Sequence, residues 1–504
     1  MKGVVAAGDR LTAEAGAEIL KAGGNAFDAA VAACFAAPIA EPALTSAGGG
    51  GFLLAVSNFE PPLLYDFFVD VPPKRLESPD FYSIEVDFGD TKQTFHIGAG
   101  SVAVPGFVAG LLRVHTERGK LPLREVLSVA IDYARRGVKL SKLQASFIKL
   151  LEPIFTATPE SRKLYAPDGK LIDSEREFRN PDYADFLELL SKEGQWAFYE
   201  GEIADEIDRV MRERGGILRK EDLERYRVFE REPIKVNFQD YDIFTNPPPS
   251  SGGILIGFTL KLLSKVNFDR WGSIFHAGAL IESMRTTQKF RKDFVNGHLH
   301  EENFEEILSS DEIVDSYYNL FKNKLNLWGN TTHICILDSE GNGVSVTTTN
   351  GEGSGVLIPK TGVMLNNMLG EEDLNPLGFF KWSPYVRLPS MMSPTAVFKG
   401  EKPVLLLGSA GSNRIRSAVV QTILNYLFFE MDVEKSVSAP RLHYENGEVF
   451  VEPGFPESTI GEIRRHYRTT VFKEKSLFFG GVQSVDFKFS GGGDPRRGGF
   501  VVRV

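Results

Sequence analysis

Along the first forty residues the alternation of apolar and polar positions is helical. Residues 12–22 combine strong helix formers (Ala13, Glu14, Ala15, Leu20, Lys21) and end at a Gly23-Gly24 pair, which predicts a helix with a glycine stop. Asn25 then reads as the N-cap of a second helix, with Asp28 three residues on as its capping-box partner. Residues 29–37 are apolar on every face, a pattern a helix tolerates only when it is buried on all sides, so a core helix is expected, with Pro38 stopping the apolar run.

Next comes the run Gly48-Gly49-Gly50-Gly51, which opens a strand-like segment, Phe52-Leu53-Leu54-Ala55-Val56. Four successive glycines imply close backbone approach; they also offer a backbone surface that could admit substrate. Residues 120–320 are dominated by helical patterns, for example over 123–136 and 184–192.

From residue 331 the pattern switches to strands. Ile334-Cys335-Ile336-Leu337 and Val344-Ser345-Val346-Thr347-Thr348-Thr349 flank a Gly341-Asn342-Gly343 turn and form a hairpin signature. A second hairpin is expected from residues 396–398 and 404–407, followed by a helix over about 415–430. Strands set between helical blocks predict an α+β layered sandwich. There is no solenoid-type repeat. The length, 504 residues, suits either several domains or one large compact unit.

Composition narrows the function classes. A net charge of -10 argues against a nucleic-acid partner, and Arg496-Arg497 is too small a basic cluster to reverse that. No stretch supplies the roughly 18 uninterrupted apolar residues of a membrane helix. The N-terminus lacks a charged region followed by a long apolar one, so the cytoplasm is the expected location. The two cysteines, Cys34 and Cys335, lie in apolar runs and read as buried thiols.

Candidate chemistry begins at Trp328-Gly329-Asn330-Thr331-Thr332-His333. Cleavage before Thr331 would put a hydroxyl and a new α-amine on one residue. The amine, with a pKa near ~8, could accept the hydroxyl proton and so activate its own nucleophile. The alternative is a threonine that simply opens a β-strand. This segment alone leaves both open.

Other blocks bear on the choice. In order they are Leu20-Lys21-Ala22-Gly23-Gly24-Asn25-Ala26-Phe27-Asp28-Ala29-Ala30-Val31-Ala32, the glycine run through Phe52, Thr331-Thr332-His333 through Thr349, Leu365-Asn366-Asn367, Ser393-Pro394-Thr395, and Gly408-Ser409-Ala410-Gly411-Ser412-Asn413-Arg414-Ile415. On these the chain resembles the γ-glutamyltranspeptidase family of N-terminal-nucleophile hydrolases over nearly its whole length.

The resemblance implies a four-layer αββα sandwich and autocatalytic cleavage between Asn330 and Thr331. The products would be a large subunit (1–330) and a small one (331–504) that together form one catalytic domain. It implies Thr331 as nucleophile, Thr349 as the residue orienting it, and the backbone N–H groups of Gly411 and Ser412 as oxyanion donors, where the family has a Gly-Gly pair. The substrate would be a small-molecule amide or peptide, with no cofactor and no metal, and pairing of the heterodimers into a dimer is compatible with the family.

Substrate contacts match less well. Asp66-Phe67-Phe68-Val69-Asp70 has Phe68 where the family's carboxylate-binding arginine is expected, so a bidentate cation is replaced by an apolar ring. The family's tandem serine is Ser390-Met391, the residue after Asn-Asn is Met368, and Glu371 aligns with the acid that pairs the substrate amine. Ser390, Glu371 and Asn350 are the remaining candidates for substrate binding. The expected acyl group is less charged or more apolar than γ-glutamyl, unless Arg75 or another cation supplies the contact. Cephalosporin acylases of the same superfamily accept such groups.

Competing readings are an uncut, inactive ligand-binding scaffold and a nucleotide-binding protein. The latter lacks a Gly-x-x-x-x-Gly-Lys-[Ser/Thr] loop. His298-x-His300 with Glu301-Glu302 reads as a solvated face rather than a metal site. His333 is expected on the same strand face as Thr331. Ser409 lacks the spacing of a hydrolase elbow and is expected to shape its loop.

Overall fold

The computed structural model describes residues 1–58, 60–87, 92–295, 299–300 and 331–504. The first expected helix is α1 (Arg10–Ala22), entered through an Asp9 carboxylate that accepts from the Leu11 N–H and left through Gly23 at φ 101°. Helix α2 (Ala26–Ala40) carries the expected capping box between Asn25 and Asp28, and all of its residues are buried. Pro38 does not stop it. A proline this close to a helix C-terminus forfeits one backbone bond, and the next free donor, Glu41 N–H, still reaches Ala37 O at 2.6 Å.

Two antiparallel sheets form the middle layers. The first contains β1 (Gly3–Ala7), β2 (Gly50–Val56), β3 (Leu63–Phe67), β4 (Phe229–Arg231), β7 (Thr332–Asp338), β8 (Gly343–Thr349) and β13 (Phe500–Arg503), in the spatial order β13-β1-β7-β8-β2-β3-β4. The second contains β5 (Ile234–Phe238), β6 (Tyr241–Thr245), β9 (Thr395–Lys399), β10 (Lys402–Ala410), β11 (Gly481–Asp486) and β12 (Gly491–Gly493), in the order β12-β11-β10-β9-β6-β5. Both sheets therefore draw strands from either side of residue 331. The strands β4 to β6 interrupt a region whose sequence reads as mainly helical.

The two hairpins are β7–β8, turning through Gly341 at φ 86°, and β9–β10, turning through Gly400 at φ 61°. The pattern over 123–136 becomes two helices, Leu123–Val126 and Ser128–Arg136, whereas 184–192 lies within Pro181–Glu193.

Side chains sort by strand alternation. Ile334, Ile336, Val344 and Val346 join the core shared with α1 and α2, whereas Cys335 and Leu337 join the core that includes the second sheet. Outside the second sheet lie α3 (Ser251–Ser264), α4 (Ile274–Phe290) and α5 (Arg414–Leu427). This is the expected α+β, four-layer αββα sandwich. Both cysteines are buried. Arg496 and Arg497, read as a small basic cluster, are buried as well, and Arg496 is clamped between Glu452 and Asp494.

The glycine run fulfils the close-approach reading. A Cβ on Gly48 would lie 2.3 Å from Met364 O, on Gly49 2.1 Å from Thr349 O, and on Gly51 2.4 Å from Thr347 O. Gly49→Ala is therefore expected to destabilise the protein by about 1–3 kcal/mol, as overpacking does. Gly278→Ala, in the interior of α4 with nothing within 4 Å of the added Cβ, should leave stability unchanged or raise it by up to about 1 kcal/mol. Thermal unfolding of both variants checks the contrast; equal melting temperatures would refute it.

Candidate active site

In the β7–β8 ladder Thr332 pairs with Thr348, so one further step of the same register sets Thr331 opposite Thr349. Thr349 pairs with Gly50 on β2, and the β2–β3 ladder, in which Gly51 faces Phe67, extends by one step to set Gly50 opposite Phe68. Thr331, Thr349, Gly50 and Phe68 thus form one row across four strand positions. By alternation this row lies on the face turned toward the second sheet. Both threonines are buried, and Thr349 Oγ1 accepts from the Gly351 N–H at 3.0 Å.

His333 lies on the expected face, but it is fully engaged. Its Nδ1 is 2.7 Å from Thr347 Oγ1 and its Nε2 is 3.2 Å from Cys335 Sγ. Burial pushes its pKa down to about 3, so the ring is neutral and ties the hairpin together. Space for it comes from Gly408, where a Cβ would lie 2.2 Å from the ring.

These contacts also orient β10. Leu407 O accepts from Ser345 Oγ at 3.0 Å, and Gly408 packs on His333. The strand therefore advances toward the Thr331–Thr349 end of the hairpin. There it gives way to Gly411 (φ 119°) and Ser412 (φ 49°), before α5 begins. A Cβ on Gly411 would come within 2.9 Å of Gly480 Cα and 3.4 Å of Arg497 Nη2. Ser412 Oγ donates to the Asp373 carboxylate, and Asn413 Nδ2 reaches the same group at 3.3 Å. Ser409 sits at the end of β10, accepting from Gly481 N–H and donating to Ala410 O, which is a shaping role.

The other predicted site residues separate into two groups. Glu371 lies beside Gly351, where a Cβ would fall 2.3 Å from its Oε1. That oxygen is enclosed and without a hydrogen-bond partner, and burial, then Glu352 and Asp373, push the carboxyl pKa well up. Asn350 is buried beside Thr349 with its Oδ1 unpartnered. Ser390 is drawn into the fold instead. Its carbonyl accepts from the Ser251 and Gly252 N–H groups at the start of α3, and its hydroxyl accepts from Met392 N–H.

Phe68 is fully buried and stacks on Phe52 with centroids 5.3 Å apart. Neither Arg75 nor Arg387 is free to substitute beside it. Arg75 is tied to the carbonyls of Pro72, Lys74 and Trp382. Arg387 is spent on Asp66 (2.7 Å) and Asp70 (2.6 Å), the acids that flank Phe68.

Sequence reasoning missed Glu352, whose Oε2 accepts from Asn367 Nδ2 at 3.1 Å, and Asp373. It also missed the polar layer behind the row. Glu41 accepts from Thr332 Oγ1 (2.8 Å) and Thr12 Oγ1 (2.6 Å), and Thr45 Oγ1 donates to Thr348 Oγ1. Burial first, and then Asp9, raise the Glu41 pKa to about 8. A carboxylate ending an all-apolar run was the available signal.

Among the described residues no His, Cys, Asp and Glu group could hold a metal, and no helix is long and apolar enough to cross a membrane. His300 packs on Trp382; His298, like Asn330, lies outside the described residues.

Comparison with known proteins identifies the family and the fold. The family model for Gamma-glutamyltranspeptidase matches residues 12–504. The chain is 30% identical to the glutathione hydrolase proenzyme of Bacillus subtilis (strain 168), covering 100% of this chain and 91% of that protein. It is 29% identical to the capsule biosynthesis protein CapD proenzyme of Bacillus anthracis, covering 98% and 89%. Among solved structures, cephalosporin acylase from Bacillus halodurans superposes with a TM-score of 0.88 at 25% identity over 99% of this chain and 95% of that one.

Glu41 generates a pH prediction. Its folded pKa, about 8, lies above its ordinary value of 4.5. The native state therefore holds a proton that the unfolded state releases, so this group's stabilising contribution is complete below pH 4.5 and is lost as pH rises through 8. Glu41→Gln mimics the protonated form. Its melting temperature should match wild type near pH 5 and exceed it increasingly toward pH 8, and a gap independent of pH would rule this out.

Proposed function

Because the chain belongs to the γ-glutamyltranspeptidase family and is an enzyme of that family, we propose that Thr331 is its nucleophile, released by cleavage of the Asn330–Thr331 bond. In the precursor, Thr331 Oγ attacks the Asn330 carbonyl carbon and the peptide nitrogen leaves carrying the Oγ proton, giving an ester and the α-amine. Water hydrolyses the ester, freeing the Asn330 carboxylate and the Thr331 hydroxyl. The subunits 1–330 and 331–504 stay associated, since each sheet takes strands from both.

In turnover the α-amine accepts the Oγ proton as Oγ attacks a substrate amide carbon. The oxyanion that forms is met by the N–H groups of Gly411 and Ser412, a kind of contact worth a few kcal/mol in such sites. The proton passes to the departing amine, leaving an acyl-threonine ester that water or an acceptor amine resolves. Thr349 positions Oγ, and Glu371 faces the substrate's amine side.

One observation carries this reading: the register that sets Thr331 beside Thr349, at the end of the sheet toward which β10 delivers the Gly411–Ser412 turn. The row also sets the acyl preference. With Gly50 lacking a side chain, the next side chain along the row after Thr349 is the buried Phe68 ring, at the position where the resemblance expects the arginine that holds a γ-glutamyl head group. We assign the preferred substrate to amides whose acyl stem is apolar next to Thr349.

Intact-mass analysis tests the nucleophile. Wild type should resolve into two pieces ending at Asn330 and beginning at Thr331, and Thr331→Ala should remain one chain without amidase activity. A cut Thr331→Ala chain, or an uncut wild type, would remove the nucleophile assignment.

A further inference from the structure

The turn after Ser412 holds more positive charge than the proposed chemistry uses. Arg416, in the first turn of α5, is buried. Its Nε donates to Asn413 O at 3.3 Å, and its Nη1 and Nη2 have no hydrogen-bond partner. Arg291, in the turn after α4, donates through Nη1 to Asn413 Oδ1 at 2.6 Å, while its buried Nε has none. Asn413 is thus gripped from two sides by guanidinium groups that keep donors unspent.

The nearby acids belong largely to other partners. Glu445 is shared by Arg414 (3.6 Å), His443 (3.3 Å) and Asn413 (3.4 Å), and Asp373 receives Ser412 and Asn413. Burial, then the Arg291 charge, pulls the Arg416 pKa down to about 10, which leaves it charged near neutral pH. A buried guanidinium with two bare nitrogens is costly, and a planar anion that accepts two parallel N–H groups relieves that cost.

We propose that Arg416 and Arg291 form a carboxylate-binding subsite beside the Ser412 end of the oxyanion loop, which holds a carboxylate of the amide substrate. This deepens the proposed function and rests on it. The subsite lies on a different element from residue 68, so a carboxylate-bearing substrate can be held although Phe68 has displaced the arginine expected there.

Glutarate is a suitable probe: it is a dicarboxylate with no amide bond, so its binding reads the subsite whether or not Thr331 is a nucleophile. Calorimetric titration of the full-length protein at fixed ionic strength should show saturable glutarate binding. Arg416→Met and Arg291→Gln should each weaken it about 10- to 100-fold, the loss of a charged hydrogen-bonded contact. Neutral glutaramide should not bind there. Without ligand, Arg416→Met should melt at or above the wild-type temperature, because an uncompensated buried charge is removed.

A lack of saturable glutarate binding, or equal affinity in both variants, overturns the proposal. So does tighter binding of chloride or phosphate at the same residues, which would make this an inorganic-anion site. A marked drop in the melting temperature of ligand-free Arg416→Met would assign Arg416 a structural role instead.

Discussion

The architecture of the site depends on the backbone contact made by residues 48–51. At Gly48, Gly49 and Gly51 a Cβ would intrude to within 2.4 Å of a carbonyl oxygen on the neighbouring chain segments. Only side-chain-free backbone lets β2 lie this close to β8 and to the Met364–Leu365 segment. That approach fixes the register that sets Thr349 opposite Gly50. Gly50 has no side chain either, and a Cβ there would lie 2.9 Å from Phe67 O, so the next side chain along the row is that of Phe68. A constraint that reads as packing therefore decides which residues share a row with the Thr331–Thr349 pair.

The two faces of the same hairpin have opposite characters. Toward the second sheet, Thr331, His333, Cys335, Ser345, Thr347 and Thr349 form a polar inner face locked by short side-chain contacts. Toward the helices, Ile334, Ile336, Val344 and Val346 are apolar, until the last residues before the row, Thr332 and Thr348, contact Glu41 and Thr45. Polarity thus spreads to both faces only at the end that carries the candidate nucleophile. Buried polar groups must be satisfied, and a fully satisfied network rigidifies what it touches. His333 contributes by being neutral: an imidazolium at that depth would lack a counter-charge, whereas the neutral ring donates from one nitrogen and accepts at the other.

Much of this was legible in the sequence because it rests on local rules. Capping residues marked α1 and α2, the Gly-Asn-Gly turn marked β7–β8, and the glycine run declared a close approach. What escaped was non-local. Nothing in the order of residues says that Glu41 ends up under Thr332, that Asp373 receives the Ser412 hydroxyl, or that Arg496 and Arg497, adjacent charges on paper, are both swallowed by the core. Pro38 lies inside α2, because a helix-breaking rule that holds for interiors relaxes in the last turn. Ser390 shows the same limit from the other side. As a residue type it suits substrate binding; in the fold its carbonyl receives the first N–H groups of α3 and its hydroxyl accepts from Met392 N–H, contacts that no local pattern announces.

The Gly411–Ser412 turn joins the two halves of the site's electrostatics. On one side of it, Glu352, Glu371 and Asp373 gather negative charge, and the enclosed Glu371 carboxyl holds its proton more tightly as a result. On the other, Arg291, Arg414 and Arg416 gather positive charge around Asn413. Asp373 links them through Ser412 and Asn413. Such a separation costs folding energy in a low-dielectric interior, and it persists only where the surrounding packing, or a bound charged molecule, offsets it. A molecule offering an amine to the acidic side and a carboxylate to the basic side would compensate both at once. On the proposed reading a cation at residue 68 is then unnecessary, because the carboxylate is held at the turn that carries Gly411 and Ser412 rather than beside Phe68.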